Sequence, residues 1–280
     1  MEQRDGFDDS SSSFSEDYES DDSEETSSSS QPSNHLVSVA LSSPSSNIIV
    51  AVTDASSSTI YCISPDPPHT VIKRFDLDYV PFRIVPSKTN SDDIFVCGDG
   101  GNVRSYSTSS EKKSSSHEAK TITTALPEKC TITCLDLNEK DEVQVVGTQQ
   151  GNVTTCFDRT RTYDGPICDV KILNESSCLI GSAAGFVCIL DRDDKKPRAM
   201  PGLRSNRVVT CICVIESLSF AVGTHDGHVL IYDNDGEFKI SQTLRFADPV
   251  YALTSHDSSA LIVVTARRVH LYRRLDRVSE

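Results

Sequence analysis

One short pattern is written three times in this chain: VVGTQQGNVTTCFD at 145–158, LIGSAAGFVCILD at 179–191 and AVGTHDGHVLIYD at 221–233. Each copy is an apolar strand ending in Gly, a polar turn with a second Gly, and a second strand closed by Asp158, Asp191 or Asp233. The paired glycines are Gly147/Gly151, Gly181/Gly185 and Gly223/Gly227, and a fourth copy, VCGDGGNVRSYS, has Gly98 and Gly101. The first copy, AVTDASSSTIYCIS, and the last, VVTARRVHLYR, keep the strands and lose the glycines. Tight hairpins between twisted strands need positive φ, which glycine adopts at little cost, so all eight are expected to be hairpin glycines.

Upstream of each hairpin lies another apolar run: LVSVAL, VPFRIV, TITCLDL, PICDVKIL, VVTCICVI and PVYALTS. Val, Ile, Thr and Tyr favour strands, Gly, Asn, Asp and Ser clusters break the runs, and no window keeps a helical apolar period. Six such units fill 35–280, about 41 residues each, within the 40–45-residue period of four-stranded propeller blades. A single blade cannot bury both its faces, whereas blades packed around an axis bury one another. The expectation is an all-β, WD40-like β-propeller of six, or seven, four-stranded blades. A β-sandwich is the alternative, but it gives no reason for the regular hairpins. No Trp-Asp dipeptide can occur, since the chain has no tryptophan. If LVSVAL pairs beside the last blade the ring closes; otherwise VHLYRR is an open edge awaiting a partner's strand.

Charge divides the chain in two. Residues 1–33 carry eleven Asp and Glu against Arg4 alone, so they hold −10 of the formal −14. So polar a stretch has too little apolar area to offset the entropy of ordering, and 1–33 is expected to be a disordered acidic, Ser-rich tail before a propeller domain at 34–280. Ser13, Ser20 and Ser23 stand beside acids and suit acidophilic kinases. The acidic balance repels phosphate backbones and makes nucleic acid a poor partner. The tail is the opposite of a signal peptide, and no apolar run is long enough to cross a bilayer. Ten cysteines sit within apolar strand-like runs, as Cys97 in IFVCG and Cys188 in FVCIL do, and are read as free thiols in a reducing compartment. The expected setting is cytoplasmic, with any membrane contact indirect.

Residues that invite a chemical reading are better explained structurally. His225, Asp226 and His228 occupy a turn where sister copies have Gln149-Gln150 or Ala183-Ala184. Cys130/Cys134 and Cys211/Cys213 lack zinc-like spacing. DGGN at 99–102 precedes no helix, and no nucleophile elbow, phosphate loop or dinucleotide fingerprint is present. No catalytic residue, metal or cofactor is expected. Arg267, Arg268, Arg273, Arg274 and Arg277 form a basic end, read as a solvated edge that docks an acidic partner, the tail being one candidate.

The order of the segments carries a resemblance. FDLDYVPFRIV and DDIFVCGDGGNVRSY are followed by TITCLDL, VVGTQQGNV and TYDGPICDVKIL. Then come ILDRDDKKPRAMPGLRSNRVVTCI and LRFADPVYALTSHDSSALIVVTARRVHLYRR. This succession, over about 75–280, resembles the kaptin family of propeller-like subunits of the KICSTOR complex, with DGPI and MPGLRSNRVV its most specific parts. The resemblance implies a non-enzymatic subunit that pairs with a second propeller-like subunit and a large scaffold protein. It also implies recruitment of GATOR to the lysosomal surface, and restraint of TOR complex 1 when nutrients are scarce. Actin association is a further implied property. The region before Phe75 is one blade shorter than the family pattern, and the acidic tail has no counterpart in it. A WD-repeat-like adaptor in another complex and a propeller enzyme or small-ligand binder are the other readings.

Overall fold

The computed structural model describes residues 35–41, 47–54, 56–90, 92–108, 119–122, 126, 130–156, 160–193, 196–203, 207–216, 219–234, 237–256 and 260–273. All belong to one compact unit, 33–280. The tail with Ser13, Ser20 and Ser23, and also Asp158, Arg274 and Arg277, lie outside the described residues.

Six antiparallel sheets follow one another along the chain, five of four strands and one of three. Blade one holds β1 (His35–Leu41), β2 (Ile48–Thr53), β3 (Ser58–Ile63) and β4 (Val71–Leu77). Blade two holds β5 (Pro81–Pro86), β6 (Asp93–Gly98), β7 (Val103–Ser107) and β8 (Lys120–Ile122). Blade three holds β9 (Ile132–Leu137), β10 (Val143–Thr148), β11 (Asn152–Thr155) and β12 (Arg161–Thr162). Blade four holds β13 (Ile167–Asn174), β14 (Ser177–Ser182), β15 (Phe186–Asp191) and β16 (Arg198–Ala199). Blade five holds β17 (Val209–Glu216), β18 (Ser219–Thr224), β19 (His228–Asn234) and β20 (Phe238–Arg245). Blade six has β21 (Val250–His256), β22 (Ala260–Thr265) and β23 (Val269–Arg273).

The first strand of each blade packs beside the first strand of the next, from β1 through β5, β9, β13 and β17 to β21. These are the inner strands. LVSVAL is therefore the inner strand of blade one, paired with β2, and among the described residues it does not pair beside the last blade.

Alternation along each strand sends side chains to opposite faces, so every blade between two neighbours must be apolar on both. Five clusters record this. Ile49 and Phe75 meet Ile84 and Val96 between blades one and two, and Phe95 and Cys97 meet Leu135 and Val146 between two and three. Val145 meets Val170 and Ile180, Leu179 meets Phe220 and Val222, and Ala221 and Ile231 meet Leu261 and Val263 at the next three junctions. Phe220 stacks on Tyr232 at 4.8 Å and meets Phe238 at 5.2 Å. Each such ring pair adds about 0.5–1.5 kcal/mol beyond the area it buries.

The paired glycines do two different jobs, which corrects the expectation that all eight serve the hairpin. The later one of each pair sits in or beside the turn with positive φ: Gly101 at 69°, Gly151 at 84°, Gly185 at 85° and Gly227 at 81°. Gly185 is buried as well, and its amide donates to the Ser182 carbonyl at 3.1 Å to close the turn. The earlier one lies within a strand, without positive φ, and is needed for space. A Cβ on Gly98 would run into the Val80 carbonyl oxygen just before β5. On Gly147 it would stand 2.5 Å from Ile167, on Gly181 2.8 Å from Val209, and on Gly223 2.7 Å from Val250, each the first residue of the next inner strand. Hairpin geometry therefore explains only half of the repeat. Packing within and between blades explains the rest.

Candidate interaction surfaces around the axis

All six inner strands carry a bulge just after their first residues. A bulge adds one unpaired residue and re-aims its side chain. In blades two and six that residue is Phe82 or Tyr251, whereas blades three, four and five have Thr133, Cys168 and Thr210. Phe82 is 40% exposed and Tyr251 57%, and Val208, which leads into β17, is 39% exposed. The same end carries the hairpin turns, because the inner strand starts where its partner ends, as Val209 opposite Thr224 and Val250 opposite Thr265 show. Three large apolar side chains thus lie on one end of the molecule, spread over three blades. Sequence reasoning missed them because a strand pattern alone does not reveal a bulge; an aromatic residue second in the runs PFRIV and VYALTS was the available signal.

Past the bulges, equivalent register positions hold Ser38, Arg83, Cys134, Asp169, Cys211 and Ala252. Within this layer Arg83 Nη2 donates to Asp169 Oδ1 at 2.5 Å, tying blade two to blade four past blade three. Asp169, 2% exposed, also accepts from the Ile212 amide at 2.8 Å and the Val170 amide at 3.0 Å. Burial pushes its carboxyl up, but Arg83, Lys171 and the Ile212 amide together outweigh that and hold it below the usual range. Arg83 is pushed up, chiefly by the Asp169 carboxylate. The same kind of clip recurs: Asp136 accepts from the Ile172 amide at 2.8 Å, and Ser38 accepts from the Ile84 amide at 3.2 Å. A satisfied ion pair that fixes register is a structural device.

His225 and Asp226 lie in the turn, and His228 opens β19. Asp226 accepts from Thr224 Oγ1 at 2.6 Å and lies 3.1 Å from Arg207 Nε and 3.2 Å from His228 Nδ1. Burial raises its pKa, and Thr224, His228 and Arg207 bring the net shift downward. The carboxylate fastens the hairpin to the approach of β17. Among the described residues no group of His, Cys, Asp and Glu could hold a metal ion, and no helix is long and apolar enough to cross a membrane. All ten cysteines are unpaired; Cys156 is exposed and Cys168 half-buried.

The basic end does not gather at one place. Arg267 and Arg268 occupy the turn before β23, with Arg267 Nε 3.6 Å from Asp248, while Arg273 closes the strand at its other end. Five residue steps along the strand separate Arg268 from Arg273, roughly 17 Å at 3.3–3.4 Å each.

Comparison with known proteins now places the architecture. The β-propeller domain of Cps50 (Swd1) from Myceliophteria thermophila aligns with a TM-score of 0.64, covering 86% of this chain and 84% of that one. The fold is a β-propeller. Identity over that alignment is 9%, so the likeness is one of fold. No protein-family model matches the sequence, and no curated protein matches it.

Proposed function

We propose that this propeller is a non-enzymatic subunit that holds other proteins, and that it serves in a KICSTOR-like complex. The observation that carries the general reading is the entry end, where Phe82, Val208 and Tyr251 stand exposed on a scaffold fixed from within by Arg83 and Asp169. Aromatic side chains on a rigid frame are the usual anchors of protein interfaces. The finer reading is supported by the kaptin-like succession of segments across 75–280. On it the chain joins a second propeller-like subunit and a large scaffold, helps bring GATOR to lysosomes, and restrains TOR complex 1 when nutrients fall. It is cytoplasmic and peripheral at the lysosomal membrane, without cofactor or metal.

The test is gentle purification of the tagged chain from its own cells, with the companions identified by mass spectrometry. The same is done for a Phe82→Ala, Tyr251→Ala double variant. A large scaffold, a second propeller and GATOR components with the unaltered chain, reduced about tenfold or more with the variant, are the expected result; losing an aromatic anchor costs at least about 2 kcal/mol of binding. Retention of another assembly in place of these companions would overturn the KICSTOR-like reading. Equal retention by the variant would move the binding surface elsewhere.

A further inference from the structure

Six blades in a closed ring need six junctions, and five apolar clusters are present among the described residues. The remaining junction, between blade six and blade one, is bounded by two largely apolar faces that no cluster of described residues covers. On blade six, Ile262 lies opposite Leu271 and Val264 opposite Val269; Leu271 is 60% exposed and Val269 70%. On blade one, the row of Val39, Val50 and Tyr61 faces away from blade two, with Val39 exposed and the other two half-buried; Arg74 ends the row, its guanidinium 5.9 Å from the centre of the Tyr61 ring. Because blades radiate about one axis, these two faces look at each other across a single opening.

We propose that an antiparallel sheet from a different polypeptide, apolar on both faces, enters this opening and completes the ring in trans. The proposal stands on packing and is independent of the KICSTOR-like assignment. These three segments within residues 1–280 do not suit the role by composition: 1–33 and 109–118 contain no Val, Ile or Leu, and 274–280 contains only Leu275 and Val278. A second copy does not suit it either. Blades two to five are packed on both faces, and blades one and six each have one free face, so a copy has no sheet that can cover both walls at once. Copies joined face to face would instead add head to tail, each leaving its own ring incomplete.

Val264 specifies the occupant further. It stands in the register position of Gly147, Gly181 and Gly223, each of which leaves room for the Ile or Val that opens the next inner strand. Val264 fills that recess. The incoming sheet therefore meets a side chain at this position, as Ile132 at the start of blade three meets Cys97 of blade two.

The experiment places p-benzoylphenylalanine at Leu271 in one form of the full chain and at Val39 in another. Both are irradiated in the chain's own cells, and the cross-linked peptides are sequenced. Both positions should capture one stretch of a single other protein, about one 40-residue blade long. Cross-links from Leu271 to blade one of the same chain, to a second copy, or to two unrelated proteins would overturn the proposal, as would none at all. Adding Leu271→Arg to the Val39 form should cut its cross-link about tenfold. That change should move the Tm of the isolated chain by less than about 2 °C, the response to about half a kcal/mol in a domain this size. A fall beyond about 5 °C would mean that the face is already packed, and the inference would fail.

Discussion

Blades five and six are written from nearly the same pattern, yet one is covered on both faces and the other on one. Val229 and Ile231 in blade five are 0% and 1% exposed; their register equivalents in blade six, Val269 and Leu271, are 70% and 60% exposed. At these two positions the strands do not differ in apolar character. What differs is the neighbour: blade six covers blade five, and no described residue covers blade six in the same way. Burial in a repeat architecture is thus a property of the interface between units.

The largest effect should come at the axial layer, where Asp169 and Ala252 hold equivalent positions. Asp169→Ala strands the Arg83 guanidinium and leaves the Ile212 amide without its acceptor. Removing one partner of a buried pair costs about 3–5 kcal/mol, a Tm drop of roughly 10 °C in a domain this size. Ala252→Asp, on an exposed site, should change Tm little. The pH dependence follows from the sign of the shift. Asp169 is held below the ordinary carboxylate range, so its contribution is present above about pH 4 and is lost as pH falls towards the folded value. Over the acid range from about pH 5 to about pH 3, the unaltered chain should therefore lose more Tm than the Asp169→Ala variant. Parallel curves would remove Asp169 from the account.

Truncating equivalent side chains tests the comparison directly. Ile231→Ala removes buried atoms from the junction of blades five and six and should cost about 2–5 kcal/mol in chemical denaturation. Leu271→Ala should fall within about 0.5 kcal/mol of the unaltered chain, as surface changes do. Similar losses at both sites would show that blade six is covered after all. A smaller effect of the same kind is expected at the recess. Gly223→Val drives a side chain into Cys211 and Val250, and overpacking of this sort costs about 1–3 kcal/mol or more. Val264→Gly loses only the propensity of a strand valine, within about 1 kcal/mol.

Much of this architecture was legible from the repeat. The period of about 41 residues, the apolar runs and the recurring hairpins point to stacked blades because each feature is local to a few residues. The later glycines, Gly185 among them, were legible for the same reason, since φ is a local property. The earlier ones were not: Gly147, Gly181 and Gly223 answer to side chains of the following blade, about 20–30 residues away in sequence. The closing Asp was visible as a repeat, but its partner was not; in blade five Ser219 Oγ donates to Asp233 at 2.8 Å across the strand pair. Phe82 and Tyr251 were hidden because a bulge breaks the alternation on which strand reading depends. Arg83 and Asp169 lie 86 residues apart, and only the ring brings them together.

The mildest test leaves the sequence untouched and asks whether a blade covered on one face opens more readily. Local opening follows the number of buried contacts a segment must give up. Cys211 and Cys213 lie between blades five and six, whereas Cys178 and Cys188 lie between three and four. Burial raises all four thiols, with Cys188 and Cys211 each pushed up to about 12, so none reacts while its junction is shut. With iodoacetamide under native conditions, Cys156 should label first, followed by half-buried Cys168. Cys211 and Cys213 should come next, through transient release of blade six, and Cys178 and Cys188 last. Rates followed by mass spectrometry decide the matter: equal protection of the two pairs would mean that blade six is held as firmly as blade four, and adding the sheet captured at Leu271 should bring them to that equality.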